Sequence, residues 1–304
     1  MRKAFVDALT HLARVDDRVC LLTGDLGFAA LEPFAEEFPE RFFNVGVAEQ
    51  NLIGVSTGLA ASGFIPYAYS IAPFVSLRPY EFIRDGPVVH DLPVRIVGMG
   101  AGVAYGSNGI SHYGLEDLGV MRIQPGLTVV APADSQQARA VVFTTFALPG
   151  PVYLSLGKDD QTQVPELNGR FQLGHCDKLT SGADAIVFAV GAITANAYKA
   201  VRRLDAEGHH CTLVAVSTVA PAPTADILTL LEGFSVAFTV EAHYITGGLG
   251  SLVSDAIASA GLPCRLTKCA VTHVPKTLTG SQSAMEAQLN LDDESLARTI
   301  RCRL

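Results

Sequence analysis

One glutamate, Glu49, stands where a short strand-like run gives way to a helical segment rich in small residues. The run is Arg41-Phe42-Phe43-Asn44-Val45, and helical periodicity extends from Ala48 to Ser62. A carboxylate in the first turn of a helix stabilises the helix dipole, which is the simplest interpretation. A carboxyl group buried in an apolar cleft also keeps a proton easily and can then take part in acid–base chemistry. From the spacing alone, both roles are open.

Two further side chains have types suited to chemistry and follow Glu49 along the chain. Phe74 ends an aromatic stretch, Tyr67-Ala68-Tyr69-Ser70-Ile71-Ala72-Pro73-Phe74, and could stack on a planar ligand, although a single phenylalanine is more commonly part of a core. His112 ends the segment Gly109-Ile110-Ser111-His112. A histidine in a glycine-rich loop after a strand is placed for proton transfer or hydrogen bonding, but it can equally be a satisfied loop residue.

In their order and spacing these segments resemble the C-terminal half of transketolase, from Met1 to about Val274. The segments that carry the resemblance are Thr23-Gly24-Asp25-Leu26, Gly46-Val47-Ala48-Glu49-Gln50-Asn51-Leu52, the stretch ending at Phe74, Gly109-Ile110-Ser111-His112 and Leu115-Glu116-Asp117-Leu118. The resemblance implies a thiamine diphosphate enzyme. In such enzymes a buried glutamate hydrogen-bonds a nitrogen of the aminopyrimidine ring and favours its imino tautomer.

The resemblance also implies roles for other residues of this sequence. Glu49 and His112 are the implied catalytic residues, with His112 facing the substrate. The implied cofactor contacts are Glu49, Phe74, Asp25, Leu26 and Gln50. The implied substrate contacts are Arg78, Asn108, His112 and Lys158. No metal ligand is expected in this chain, because magnesium and the diphosphate would be held by a separate polypeptide.

That separate polypeptide is expected because the diphosphate-binding signature, Gly-Asp-Gly, is missing here. The only Gly-Asp pair, Gly24-Asp25, is followed by Leu26. The chain therefore resembles the beta-type subunit of a split transketolase, with a partner that carries Gly-Asp-Gly and corresponds to the N-terminal half. Since two-fold symmetry is the commonest closed arrangement, we expect a homodimer of this chain within an α2β2 complex.

Three positions depart from the transketolase pattern in the region implied to bind substrate. Asn108 stands where an aspartate is usual, and Gly100-Ala101-Gly102 replaces a segment that usually carries a histidine. Lys158 stands where an arginine usually grips phosphate, and lysine lacks the two-pronged geometry of arginine. Together these departures predict an altered acceptor, whether branched, modified or non-phosphorylated.

The pattern of apolar runs predicts an α/β chain with two doubly wound domains and mostly parallel sheets. We expect a pyrimidine-binding domain at 1–160, a linker at 161–180 and a transketolase-like C-terminal domain at 181–304. A helix is predicted at 2–15. The predicted strands are 19–23, 42–45, 93–98, 127–132, 151–156, 185–191, 211–216 and 236–241.

Composition excludes several classes of protein. Of the 304 residues, 49% are hydrophobic and 17% charged, which argues against disorder. The net charge of -8 argues against non-specific binding of nucleic acid. No apolar run reaches the length of a membrane span, and the N-terminal sequence turns acidic too early for a signal peptide. The six scattered cysteines are interpreted as reduced thiols, so we expect a cytoplasmic protein.

The function that the resemblance implies is transfer of a two-carbon ketol unit from a ketose to an aldose, with sugars or sugar phosphates as substrates. One alternative is a beta chain of a 2-oxoacid dehydrogenase or decarboxylase, and another is a catalytically silent binding subunit. A third and weaker alternative is a hydrolase using Ser56, since Gly54-Val55-Ser56-Thr57-Gly58 matches a nucleophile elbow. That motif requires a strand-to-helix turn, whereas here it lies within a predicted helix.

Overall fold

A computed structural model describes the whole chain, residues 1–304. Strands and helices alternate through most of its length. The strands are β1 (Val19–Thr23), β2 (Phe42–Asn44), β3 (Ile65–Ile71), β4 (Arg95–Met99), β5 (Thr128–Val130), β6 (Val152–Leu156), β7 (Asp177–Lys178), β8 (Ala185–Val190), β9 (Cys211–Ala215), β10 (Thr218–Ala220), β11 (Val236–Tyr244) and β12 (Arg265–Val271). The α-helices are α1 (Arg2–Val15), α2 (Glu32–Glu37), α3 (Glu49–Ala61), α4 (Ala72–Leu77), α5 (Tyr80–Ile83), α6 (Asp117–Arg122), α7 (Ser135–Phe146), α8 (Thr194–Ala206), α9 (Thr224–Leu231), α10 (Leu249–Ala260), α11 (Gln282–Gln288) and α12 (Asp293–Arg301).

The strands form two separate sheets. The first sheet has seven strands in the order β10-β5-β6-β4-β3-β1-β2, and the second has five in the order β12-β11-β8-β9-β7. Every pairing is parallel except β10 with β5 and β7 with β9, each at one edge of its sheet. The prediction of an α/β chain with two mostly parallel, doubly wound domains is confirmed.

The central strands of both sheets are covered on both faces, which explains their uninterrupted apolar sequences. All residues of β1, β6 and β8 are buried. The predicted helix at 2–15 is α1, and it packs against α7 over the first sheet with Phe5 and Leu9 fully buried. Close packing of this kind gives the first domain a rigid frame for the loops at the ends of its strands.

Two short strands do not follow the predicted boundaries between the two domains and the linker. β7 falls inside the predicted linker, 161–180, and pairs with β9 of the second sheet. β10 belongs by sequence to the predicted C-terminal domain, yet it pairs with β5 and extends the first sheet. The chain thus returns to the first domain after it has begun the second.

The carboxyl ends of neighbouring parallel strands meet at one edge of a sheet, and ligands bind at that edge in open α/β sheets. In the first sheet, the segments that follow β1, β2, β3, β4 and β6 carry all the residues predicted to form the site. The fold therefore collects at one edge residues that are separated by more than a hundred positions in sequence.

The structure also bears on the cysteines and on membrane insertion. The six cysteines are unpaired, and Cys20, Cys211 and Cys269 are buried. Burial raises the pKa of the Cys20 and Cys269 thiols to about 12, so both stay protonated and unreactive at neutral pH. No helix combines the length and the apolar character that crossing a membrane requires.

Candidate active site

Glu49 is the first residue of α3 and is almost completely buried, with 1% of its surface exposed. Gly46 directs the chain from β2 into this helix, and its φ of +75° lies in the left-handed region that glycine adopts without strain. The amide of Ala48 donates to the carbonyl of Gly46 at 2.8 Å and closes the turn. Stabilising the helix dipole does not require burial, so that role alone does not explain why this carboxylate is buried.

The carboxylate of Glu49 is held by one strong and one weak contact. Nη1 of Arg78 donates to Oε2 at 2.8 Å, and the hydroxyl of Ser70 donates to Oε1 at 3.4 Å. The Arg78 side chain is 42% exposed whereas that of Glu49 is 2% exposed. A buried carboxylate is costly unless a cation or hydrogen-bond donors compensate it, so Arg78 is the main compensating group.

Phe74 joins Glu49 and Arg78 to the loop that carries His112. The Arg78 guanidinium carbon lies 3.9 Å from the centroid of the Phe74 ring, a cation–π contact. The His112 ring meets the Phe74 ring nearly edge-on, with centroids 5.0 Å apart and planes at 62°. Phe74 is only half-buried, so part of its ring is accessible to a ligand.

His112 ends a short 3₁₀ turn, Ile110–His112, in the loop after β4. Its Nδ1 lies 3.0 Å from the hydroxyl of Ser111. Partial burial lowers the pKa of His112, and the nearby charge of Arg78 lowers it further. The imidazole is therefore mostly neutral at neutral pH and can accept a proton or a hydrogen bond.

Tyr105 links His112 to Lys158. Its ring centroid lies 6.1 Å from that of His112, and the ammonium group of Lys158 lies 4.6 Å from the tyrosine ring centroid. The ring packs directly on Gly100: a Cβ atom built there would lie 2.1 Å from Cε2 of Tyr105. Gly100 also has a φ of +78°. Tyr105 thus fills the space into which a side chain at position 100 would extend.

Together these contacts form a continuous row along the carboxyl edge of the first sheet, which we call the contact row. Its members are Glu49, Arg78, Phe74, His112, Tyr105 and Lys158. Five of the six were predicted from the sequence as site residues. The structure shows that they are neighbours, which is a condition for acting on one ligand.

The remaining predicted residues lie outside the contact row. Asp25 is exposed and accepts a hydrogen bond from Nδ2 of Asn44 at 2.9 Å, while the carbonyl of Leu26 accepts from the Thr23 hydroxyl at 2.8 Å. Gln50 is exposed beside Glu49. Asn108 is exposed, and its Oδ1 accepts from the hydroxyl of Ser107 at 3.2 Å rather than from any member of the row. Their predicted roles in binding cofactor and substrate stay predictions.

The contact row is accessible in part: Arg78 and Lys158 are exposed and Phe74 is half-buried, whereas Glu49 is buried. Lys158 borders a cleft of about 390 Å³ between the two domains, whose other walls include Asn196 and Glu286. Phe74 and His112 are partly accessible to water in this chain alone, so excluding water from them requires an additional covering surface.

Ser56, of the nucleophile-elbow motif, and His243, of the second domain, are both buried and have structural contacts. Ser56 is fully buried inside α3 and donates to the carbonyl of Leu52 at 2.8 Å, so it is no exposed nucleophile. His243, in the motif Glu241-Ala242-His243-Tyr244, is buried and its Nε2 accepts from the amide of Gly119 at 3.0 Å. This bond fastens the second domain to α6 of the first.

Sequence reasoning missed Tyr105 and Ser70. Tyr105 could have been noticed as the aromatic residue of a glycine-rich loop, Gly100-Ala101-Gly102-Val103-Ala104-Tyr105-Gly106. Ser70 carried no signal, because a serine near the end of an apolar strand is common. Its contact with Glu49 depends on β3 lying beside β1, which only the folded sheet decides.

Comparison with known proteins gives a consistent result over both domains. Residues 1–162 match the family "Transketolase, pyrimidine binding domain", and residues 174–296 match "Transketolase, C-terminal domain". A "Putative transketolase C-terminal section" of Methanocaldococcus jannaschii is 36% identical over 303 residues, covering 99% of this chain and 95% of that protein. A subunit of an apulose-4-phosphate transketolase of Phocaeicola vulgatus is 32% identical over 300 residues, covering 98% of this chain and 95% of that protein.

A solved structure described as "Split gene transketolase, inactive beta4 tetramer" is similar in both fold and sequence. It superposes with a TM-score of 0.88 at 33% identity, and the match covers 99% of this chain and 96% of that chain. The shared length is informative, because these proteins are sections or subunits rather than complete transketolases. The chain therefore belongs to the transketolase family and corresponds to the C-terminal section that forms a separate subunit in its split members.

Proposed function

We propose that this chain is the beta-type subunit of a two-chain transketolase that uses thiamine diphosphate. The enzyme would transfer a two-carbon ketol unit from a ketose to an aldose. The observation that carries the proposal is the pairing of a buried carboxylate, Glu49, with an accessible aromatic face, Phe74, in a chain of this family. Replacement of Glu49 by glutamine tests the proposal, because kcat of the two-chain enzyme should fall sharply.

The residues present fit the aminopyrimidine ring of this cofactor. The space above Phe74 already accepts one flat, nitrogen-rich group, the Arg78 guanidinium, which stacks at 3.9 Å and donates to Glu49. A planar heterocycle with a ring nitrogen facing Glu49 uses the same two contacts, stacking and a hydrogen bond to a carboxyl group. In this chain Glu49 would bind that nitrogen and Phe74 would hold the plane of the ring.

When bound, the cofactor supplies a nucleophilic carbon for attack on the ketone. The chain's own part is to hold and move protons nearby. Glu49, whose side chain is 2% exposed, would hold a proton shared with the ring nitrogen. His112, mostly neutral at neutral pH, accepts a hydrogen bond or proton from a hydroxyl of the substrate, which would lie beside Phe74.

We propose that magnesium and the diphosphate are held by a partner chain with a Gly-Asp-Gly motif. In support, similar proteins are described as a transketolase C-terminal section, a transketolase subunit and a split gene transketolase. The accessible part of the contact row is a further argument, because the partner would cover it. The related structure described as an inactive beta4 tetramer agrees with a beta chain that needs such a partner for activity.

The assembly is expected to be α2β2, with this chain paired across the exposed side of α3. That side carries Gly54, Gly58 and Ser62, which allow close approach of another helix, and the nearby Val55 and Phe82 are 37% and 45% exposed. Light scattering of the co-expressed pair should give the mass of two copies of each chain. A stable and active monomer of this chain alone would contradict the proposal.

The substrate end of the contact row suggests an acceptor that differs from ribose 5-phosphate. Tyr105 occupies the space beside Gly100 where transketolases usually direct a histidine, and Lys158 offers a single ammonium group in place of an arginine fork. Lys158 and His112 still allow an anion or a hydroxyl to be recognised. The relative named for apulose 4-phosphate is an example of a split transketolase associated with another phosphosugar.

We therefore expect xylulose 5-phosphate and ribose 5-phosphate to be a poorer pair than some altered acceptor. Each missing hydrogen bond to a substrate costs on the order of 1 kcal/mol, and more if the group is left buried without a partner. The measurement is kcat/KM of the two-chain enzyme across phosphorylated, deoxy, amino and unphosphorylated aldoses. If ribose 5-phosphate has the highest value of the panel, the enzyme is an ordinary split transketolase.

The alternatives are less well supported. A beta chain of a 2-oxoacid dehydrogenase is not favoured, since both matched domains and the two relatives named above are described as transketolase. If the chain is a catalytically silent binding subunit, the complex with its partner should show no turnover. Assay of the complex with pyruvate and with a ketose–aldose pair separates all three. We also propose a cytoplasmic location, consistent with six unpaired cysteines.

A further inference from the structure

Arg78 makes two contacts that a cofactor ring would also need. Its guanidinium lies over Phe74 with its central carbon 3.9 Å from the ring centroid, and the same group donates to Glu49 at 2.8 Å. A ring that both stacks on this face of Phe74 and hydrogen-bonds to Glu49 requires the space that the guanidinium fills. The two groups cannot be accommodated there together.

We infer that Arg78 competes with the cofactor's aminopyrimidine ring for Glu49 and Phe74, and that cofactor binding requires this arginine to move away. The inference rests on the proposed function and adds a role for Arg78 that differs from direct substrate binding. While the cofactor is not bound, Arg78 compensates the buried carboxylate. This keeps the site folded around a charge that would otherwise be unpaired.

The position of Arg78 allows such a movement. Arg78 follows the last residue of α4, and its side chain is 42% exposed, so the guanidinium has a direct path into solvent. Ser70 is the other side chain that donates to Glu49, and its bond is long at 3.4 Å. Arg78 is therefore the main group that compensates the charge of Glu49 until another hydrogen-bond donor binds. Once displaced, Arg78 stays at the mouth of the site, where it can meet an anionic group of the sugar.

The first test is the affinity of the co-expressed two-chain complex for thiamine diphosphate with Mg²⁺, measured by isothermal titration calorimetry. Arg78→Gln is expected to tighten the Kd by about three- to tenfold, because the competing ion pair is gone. Arg78→Lys keeps the charge but loses the flat stacking group, so its Kd should lie between those of Arg78→Gln and wild type. Arg84→Gln, which removes an exposed arginine paired with Asp85, is the matched control and should leave the Kd unchanged.

The second test uses the full chain alone and needs no cofactor. Arg78→Gln should lower the midpoint of thermal unfolding, by about 2 °C, because Glu49 loses its partner. The double variant Glu49→Gln/Arg78→Gln should recover most of this loss, which is the signature of a direct interaction in a double-mutant cycle. Strictly additive effects would show that the ion pair contributes nothing and would overturn the inference.

The outcomes separate this inference from the proposed function. If wild-type complex binds thiamine diphosphate and Arg78→Gln binds it with equal or weaker affinity, Arg78 does not compete and the inference fails while the proposed function stands. If the wild-type complex does not bind the cofactor at all, both fail. A tighter Kd for Arg78→Gln together with a non-additive cycle supports the competition.

Discussion

Glu49→Gln is expected to lower kcat of the two-chain enzyme by about 10³-fold or more, because glutamine cannot exchange a proton with the ring nitrogen of the cofactor. Glu49→Ala should have an effect at least as large, since it also removes the hydrogen bond. The fold should survive both changes. Arg78, the group left without a partner, is 42% exposed and can be hydrated. Steady-state kinetics with saturating cofactor measure kcat, and circular dichroism of each variant shows whether the fold is retained.

The control for this experiment is Glu32→Gln. Glu32 also lies in the first turn of a helix, α2, but it is exposed, and its carboxylate accepts from the amide of Ala29 at 2.8 Å rather than from a member of the contact row. If Glu49 served only its helix dipole, both variants would behave alike and lose little activity. Near-normal turnover of a folded Glu49→Ala complex would therefore end the assignment of Glu49 as the activating carboxylate.

His112→Ala is expected to lower kcat/KM by about 10²-fold, because the substrate loses a neutral imidazole that accepts a proton or hydrogen bond. The pKa of His112 is lowered first by burial and then by Arg78, so the imidazole becomes protonated only as the pH falls below the ordinary value of about 6.5. The acid side of the rate profile should thus decline below that pH. NMR titration of the His112 ring should give the same lowered pKa.

His210→Ala is the matched control for His112→Ala. His210 is exposed, pairs with Asp205 at 2.7 Å and lies in the second domain. A loss of activity in this variant equal to that of His112→Ala would point to a general effect of removing histidines. An unchanged pH profile in a folded His112→Ala enzyme would show that His112 has no part in proton transfer.

Several features of the fold were predictable because they depend on the pattern of apolar residues within a short segment of sequence. β1, β6 and β8 are buried on both faces, and this leaves uninterrupted apolar runs in the sequence. The start of α3 was placed correctly within one residue, since a small-residue helical pattern follows a short strand there. Other elements were missed: β12 lies at a sheet edge and its first four residues include Arg265, Thr267 and Lys268, and β10 has only three residues.

The sequence by itself determined the residue types of the site and the family, because the motifs around Glu49 and His112 are contiguous segments. Tertiary structure alone decided which residues meet. β3, β4 and β6 are neighbours in the first sheet although β5 lies between β4 and β6 in the chain, and this order places Phe74, His112 and Lys158 along one edge. Strand order depends on long-range packing, as does the rotamer that turns Arg78 toward Glu49. The local pattern of apolar residues predicts neither the strand order nor this rotamer. The competition between Arg78 and the cofactor could therefore be inferred only from the folded chain.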